Sequence, residues 1–283
     1  MAAELKPTGT PSDVSADTLV ALRDVAKYFK IMAVVFSRHV GDVKAVDGVS
    51  FDIKEGETLG LVGESGSGKT TVGRCILRLI EPTRGHIYFE GGTVDITTLK
   101  RPAMRALRRE MQIIFQDPFA SLNPRIKVLE IVSEPLAIHE AGKRSKAQMA
   151  DAATEMMKAV GLDESALRRY PHEFSGGQRQ RIGIARALIL RPKLIVADEP
   201  VSALDVSVGA QVLLLLRELQ AELGLTYVFI SHSLPVVAQL ASRIAVMQRG
   251  RFVEVGEAEQ VLHRPTHEYT RELLSAMPLL PAG

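Results

Sequence analysis

Gly63-Glu64-Ser65-Gly66-Ser67-Gly68-Lys69-Thr70 decides how the rest of this sequence is read. The stretch fits G-x-x-x-x-G-K-[ST] and lies between a strand-like segment, Thr58 to Val62, and a helical run that begins at Lys69. Glycines let a backbone wrap so that successive N–H groups face an anion, and a helix N-terminus adds partial positive charge at the same place. Lys69 brings a compact charge for the β- and γ-phosphates of a nucleotide, Thr70 a hydroxyl for Mg2+, and Thr71 extends the set by one residue. Val72, Cys75, Ile76, Leu79 and Ile80 recur at three- and four-residue spacing and predict a helix from Lys69 to Ile80, stopped by Pro82 and Gly85.

Upstream, Leu19 to Leu22 and Ala45 to Ile53 carry strand character, and Lys30 to Lys44, around Gly41, reads as a loop inserted between them. Downstream, Pro118 to Pro171 changes to helical periodicity, with Leu129, Val132 and Leu136 in one run and Ala152, Met156, Ala159 and Val160 in another. Leu194 to Ala197 and Tyr227 to Ile230 are then continuous apolar runs of strand length, the pattern of strands buried on both faces in a parallel sheet. These segments predict an α/β fold with an inserted helical lobe at about 117–190, a flexible leader at 1–18 around Pro7, Thr8, Gly9, Thr10, Pro11 and Ser12, and an extension at 255–283.

The 283 residues, 46% hydrophobic and 24% charged, suit a folded globular chain. A net charge of +2, from 35 basic and 33 acidic residues, gives no support for nucleic-acid binding by phosphate neutralisation. Cys75 has no partner for a disulfide or a metal cluster and reads as a small buried hydrophobe in a reducing, cytoplasmic setting. Apolar runs such as Val212 to Leu216 fall short of the ~20 residues that span a bilayer, so any membrane role must come through a partner.

Leu194-Ile195-Val196-Ala197-Asp198-Glu199 is an apolar strand ending in two acids, which puts carboxylates at a strand's C-terminal edge. Asp198 suits Mg2+, and Glu199, one step off the strand, suits orienting or deprotonating an attacking water. Phe174-Ser175-Gly176-Gly177-Gln178-Arg179-Gln180-Arg181 opens a helix running to about Leu190 and offers a second anion-binding helix start, Ser175 to Gln178. Two such starts and one nucleotide loop imply that the second covers a phosphate held by another domain.

With Ser-Gly-Gly-Gln at 175–178, the sequence resembles the ATP-binding subunits of ABC transporters, and the order of motifs matches over nearly the whole chain; Phe174 stands where most members have Leu. The resemblance implies a P-loop NTPase core with an antiparallel β subdomain and a helical lobe carrying the signature. It implies that Gln116, after Ile113 to Phe115, contacts Mg2+ and hinges the lobe, and that Asp205 in Ser202-Ala203-Leu204-Asp205 lies where paired domains cross. His232, after Phe229-Ile230-Ser231, would touch the γ-phosphate, with Ser233 replacing the usual Asp. Phe29 is similar to the family's adenine-stacking aromatic, Tyr28 is the alternative, and either could be core. The catalytic set so implied is Lys69, Glu199 and His232; ATP and Mg2+ are the cofactors.

The implied mechanism closes two such chains head to tail, so that Ser175 to Gln178 of one cover the ATP on Lys69 of the other. Partners would be a second ATPase, two integral membrane permease subunits and, indirectly, a solute-binding protein, with this chain at the cytoplasmic face of the membrane. Phe115-Gln116-Asp117-Pro118-Phe119-Ala120-Ser121-Leu122-Asn123-Pro124 and His267-Glu268-Tyr269-Thr270-Arg271-Glu272-Leu273-Leu274 resemble the dipeptide, oligopeptide and nickel importer branch. That branch often carries a Cys-containing C-terminal segment, and here no Cys follows Cys75. The other reading is a soluble ATPase of the same superfamily serving an enzyme complex such as carbon–phosphorus lyase. Pro265 between His263 and His267 disfavours a metal pair, and Arg105 to Arg109 and Lys143 to Lys146 read as solvated faces.

Overall fold

A computed structural model of the chain describes residues 14–32 and 39–275, so residues 1–13 of the expected leader and 276–283 of the expected extension lie outside the described residues. The chain divides into two compact units: one holds the described residues up to Leu99 and from Val228 onward, the other Lys100–Tyr227.

The first unit opens with β1 (Thr18–Met32) and β2 (His39–Lys54), paired antiparallel. The ladder continues through Lys30↔Asp42, Ile31↔Gly41 and Met32↔His39. The expected loop over Lys30 to Lys44 is therefore mostly strand: Phe29 faces Val43 across the ladder, residues whose aromatic and branched side chains favour the extended pairing that a lone Gly41 does not interrupt. Its centre, 33–38, lies outside the described residues. After β3 (Thr58–Val62), buried throughout, comes α1 (Lys69–Ile76). The helix stops short of the expected Ile80 because Arg78 turns into the left-handed region (φ 46°). There its guanidinium donates to the Ile96 carbonyl (2.8 Å) and meets the Glu81 carboxylate (2.8 Å), while Leu79 is left exposed. β4 (Arg84–Phe89) and β5 (Val94–Asp95) complete an antiparallel sheet in the order β2-β1-β4-β5.

The second unit runs through α2 (Arg101–Leu107), β6 (Met111–Ile114), α3 (Pro118–Ser121), α4 (Val128–His139), α5 (Lys146–Ala159), α6 (Gly176–Leu188), β7 (Leu194–Asp198) and α7 (Val206–Leu223). β6 and β7 pair in parallel. The helices bury Val128, Ile131, Val132 and Leu136 of α4, and Ala153, Met156 and Met157 of α5. Those faces are turned slightly from the expected ones, so that Leu129 and Ala152 are half-buried and Ala159 is exposed. In the basic runs read as solvated faces, Arg109 (2.8 Å) and Arg144 stay partly exposed and also pair with the buried carboxylate of Glu140. Burial alone would raise the pKa of that carboxyl, but the Arg144 and Arg109 guanidinium groups lower it.

β8 (Thr226–Ser231), also buried throughout, leads back to the first unit, which ends with α8 (Leu234–Ala238), β9 (Arg243–Gln248), β10 (Arg251–Glu257), α9 (Ala258–His263) and α10 (Glu268–Ser275). Here the strand order is β10-β9-β3-β8, with β3 parallel to β9. Gly60 in β3 is fixed by packing: a Cβ there would fall 2.1 Å from Val237 Cγ1 of α8. Among the described residues no helix is long and apolar enough to cross a membrane.

Candidate active site

The loop from Gly63 to Gly68 links buried β3 to α1 and needs glycine at its turns. Gly66 has φ 80° with open space around it, and Gly68 has φ 111° with room for no side chain, since a Cβ would lie 2.0 Å from the Ala45 carbonyl oxygen. Gly68 caps α1 with no side-chain hydrogen bond. Lys69 is buried (4% exposed), yet its ammonium group donates to the carbonyls of Gly63 (2.7 Å) and Glu64 (2.8 Å) and to Ser67 Oγ (3.3 Å). Loop oxygens thus hold the charge inside the turn, where a phosphate oxygen would meet it. Glu64 on the rising limb and Ser65 and Gly66 at the crest are exposed, and Thr70 and Thr71 are half-buried on the first helical turn.

In the same unit His232 is exposed directly after β8, and the Ser233 N–H donates to Ser231 Oγ (3.0 Å) at the start of α8. Phe29 is 41% exposed on β1, with Lys27 Nζ 5.2 Å from its ring centroid. Tyr28 donates its hydroxyl to Asp47, and that bond, followed by Arg251, holds the Asp47 carboxyl down to about 2. Phe29 is exposed where Tyr28 is half-buried, and it is not core.

In the second unit β7 carries Asp198 to its buried end (3% exposed) and leaves Glu199 in the left-handed region, φ 47°. Such a conformation costs a non-glycine residue about 1–3 kcal/mol, and here it swings the second carboxylate off the strand direction. Two donors fix the turn, the N–H (3.2 Å) and Oγ (3.0 Å) of Ser202, both on the Glu199 carbonyl. Gln116 Nε2 donates to Glu199 Oε2 at 3.2 Å. The structure thus joins two residues that lie 83 positions apart in separate sequence motifs.

Ser175 and Gln178 form a reciprocal capping box at the start of α6: Ser175 Oγ accepts the Gln178 N–H (3.3 Å), and Gln178 Oε1 accepts the Ser175 N–H (3.0 Å). Both side chains are exposed, as is Asp205, the N-cap of α7. Gly177 lets α6 approach α7, for a Cβ would fall 2.4 Å from Val208 Cγ1. Among the described residues no group of three or more His, Cys, Asp or Glu gathers to hold an ion. Mg2+ is ordinarily bound through one or two carboxylates together with substrate phosphates.

A family model described as ABC transporter matches residues 46–202. The chain is 53% identical over 264 residues to the oligopeptide transport ATP-binding protein AppF of Bacillus subtilis, covering 93% of this chain and 79% of that protein. The chain belongs to the ABC transporter family. A putative peptide import ATP-binding protein of Brucella ovis is 54% identical over 260 residues, covering 92% of this chain and 78% of that protein. Among solved structures, a dimeric ATP-binding cassette in a post-hydrolysis state, bound to ADP and Pi, matches with a TM-score of 0.75 at 32% identity, covering 85% of this chain and 99% of that one. The fold is accordingly the P-loop cassette of ABC ATPases. Phe174 fits where most ABC members have Leu: its ring is buried (5% exposed) under the Arg169 guanidinium, 4.4 Å away.

One contact in the cassette is not legible in the sequence. The Glu64 N–H of the phosphate loop donates to the hydroxyl of Tyr269 in α10 (3.2 Å). The only signal is His267-Glu268-Tyr269-Thr270, which points to the importer branch and not to the site.

Proposed function

We propose that the chain is the Mg-dependent, ATP-hydrolysing motor subunit of an ABC importer for peptides, working head to tail with a second cassette on two membrane permease subunits. The most support comes from its likeness, along nearly the whole chain, to relatives named for oligopeptide transport and peptide import. Those names favour the importer over a soluble ATPase of an enzyme complex.

In this reading Lys69 binds the β- and γ-phosphates, and the N–H groups of Gly63 to Thr71 wrap them. Bound Mg2+ supplies charge neutralisation of the phosphate oxygens; Thr70, Asp198 and Gln116 are the residues assigned to it. Glu199 orients or deprotonates the attacking water, and its hydrogen bond to Gln116 lets the amide report on that carboxylate. His232 touches the γ-phosphate. Phe29 stacks on adenine. Ser175, Gly176, Gly177 and Gln178 cover the ATP of the partner cassette, and Asp205 lies at the crossing between them. The helices of about 117–190 act as the lobe that carries this signature.

The permease would meet α3, which follows Gln116 directly. Its Asp117 carboxylate caps the N–H groups of Phe119 (2.7 Å) and Ala120 (3.1 Å), and Phe119 stays 57% exposed. The Arg179 guanidinium of the signature helix lies 4.0 Å over the Phe119 ring, so a partner pressing on Phe119 reaches the signature through one side chain. Single cysteines at Phe119, Ala120 and Ser121, in a Cys75→Ser background, should cross-link to a co-expressed permease, with a yield that changes on adding ATP. Recovery with soluble enzymes alone, and no cross-link to a membrane protein, would overturn the importer reading.

A further inference from the structure

The C-terminal segment reaches the phosphate loop through a continuous set of hydrogen bonds within one unit. Glu254 of β10 is nearly buried (7% exposed), and its carboxylate accepts the Thr266 N–H (2.8 Å), the Thr266 hydroxyl (2.9 Å) and the His267 N–H (3.1 Å). Burial by itself would raise the pKa of this carboxyl; the donors, led by the Thr266 N–H, hold it near 2. His267 Nδ1 then accepts the Tyr269 N–H (3.1 Å) and sets the entry to α10. Tyr269, 4% exposed, presents its hydroxyl oxygen to the Glu64 N–H (3.2 Å), and burial pushes the pKa of its phenol up.

Glu64 is the residue whose carbonyl accepts from Lys69 Nζ (2.8 Å). Its N–H is thus tied to α10 on one side of the residue while its C=O holds the phosphate-binding ammonium on the other. A shift of this residue would move the lysine's cradle with it. Neighbouring Ser65 and Gly66 are exposed, and Gly66 has open space around it, so the tie at Glu64 holds the loop next to its exposed crest.

We propose that Tyr269 is a positioning residue of the nucleotide site, clamping the rising limb of the phosphate loop through Glu64 so that Lys69 is held in its binding position before nucleotide arrives. The proposal rests on reading Gly63 to Thr71 as the phosphate loop. Tyr269 touches no reacting atom; it acts on affinity through the loop.

The test is Tyr269→Phe, which removes only the hydroxyl, in the full chain without nucleotide. Hydrogen exchange should show faster exchange for a peptide spanning the loop, with the rest of the unit unchanged. Titration with ADP should show affinity weakened by about 3- to 10-fold, the loss of roughly one hydrogen bond. In steady state the KM for ATP should rise by a similar factor while kcat changes less than about twofold, a split that general destabilisation would not produce. Glu254→Gln, which weakens the anchor while leaving Tyr269 in place, should move exchange and ADP affinity in the same direction by less.

Faster exchange with unchanged ADP affinity would make the bond merely structural and overturn the proposal. Unchanged exchange and unchanged affinity would overturn it as well. A wild-type chain that binds no ADP would instead overturn the reading of the loop, and the proposal with it.

Discussion

The starts of α1 and α6 are both glycine-rich helix N-termini, and they satisfy themselves in opposite ways. At α1 a left-handed Gly68 caps the helix without a side-chain hydrogen bond, and Lys69 is folded onto the loop's own carbonyls. At α6 Ser175 and Gln178 close a capping box on each other's backbone. The first start lacks an internal side-chain substitute for an anion and concentrates positive charge on one. The second already has the N–H groups of Ser175 and Gln178 bonded, so a phosphate approaching them must displace or share bonds that already exist. Affinity for nucleotide should therefore reside with the phosphate loop, and the signature should act only when a partner cassette delivers ATP to it.

The sharpest way to break this contrast is Lys69→Ala. Hydrolysis should fall by about 10³-fold or more, the scale for losing a charge that stabilises a transferring phosphoryl group. ADP binding by the isolated chain should be lost alongside it, read by titration; retained binding would move the affinity elsewhere. Glu199→Gln tests the other side of the contrast, since Glu199 belongs with the signature unit. Binding should persist while hydrolysis slows by about 10² to 10⁴, or roughly 3 to 5 kcal/mol of barrier. Light scattering with Mg-ATP should then find a trapped dimer, formed with the natural partner ATPase if not alone.

Legibility in the sequence follows how local the physics is. The phosphate loop and the acids at the end of β7 are readable because glycines at turns and a strand of Leu194 to Ala197 are properties of adjacent residues. The end of α1 is not, because Arg78 leaves the helix to reach Ile96, eighteen positions on, a bond that no periodicity encodes. The Lys30 to Lys44 part of the β1–β2 hairpin reads as a loop in composition, because the cross-strand partners carry the pairing. The Gln116–Glu199 and Glu64–Tyr269 contacts bring together residues far apart in sequence, and only the folded chain joins them. The same holds for Arg109 and Arg144, whose charges read as solvated in the sequence and in the fold hold buried Glu140 between them.

Phe29 extends the contrast from phosphate to base. It shares a unit with the phosphate loop and is exposed, whereas the Tyr28 hydroxyl is committed to Asp47. Phe29→Ala should weaken ATP affinity by about 1–3 kcal/mol, the scale of a base stacking on an aromatic ring, and leave the chemical step unchanged. Titration separates the neighbours: if Tyr28→Ala weakens ATP binding and Phe29→Ala does not, the stacking assignment belongs one residue earlier.

Ser175→Ala should have the smallest effect on the isolated chain and is the finest probe of the comparison. Removing the Oγ that accepts the Gln178 N–H costs a helix N-cap, about 0.5–2 kcal/mol, which for a domain of this size lowers Tm by roughly 2–4 °C per kcal/mol. ADP affinity of the isolated chain should stay within about twofold of wild type, because the phosphate loop is untouched. Hydrolysis by the assembled pair should fall, since the proposed function offers the same hydroxyl to the partner's ATP. Ser175→Thr keeps a capping hydroxyl and should restore most of both Tm and turnover. The decisive outcome is the relation between the two readouts. If Ser175→Ala lowers ADP affinity of the isolated chain as steeply as Lys69→Ala does, both helix starts bind the same nucleotide within one chain, and the contrast between a loop that binds and a signature that waits for a partner is lost.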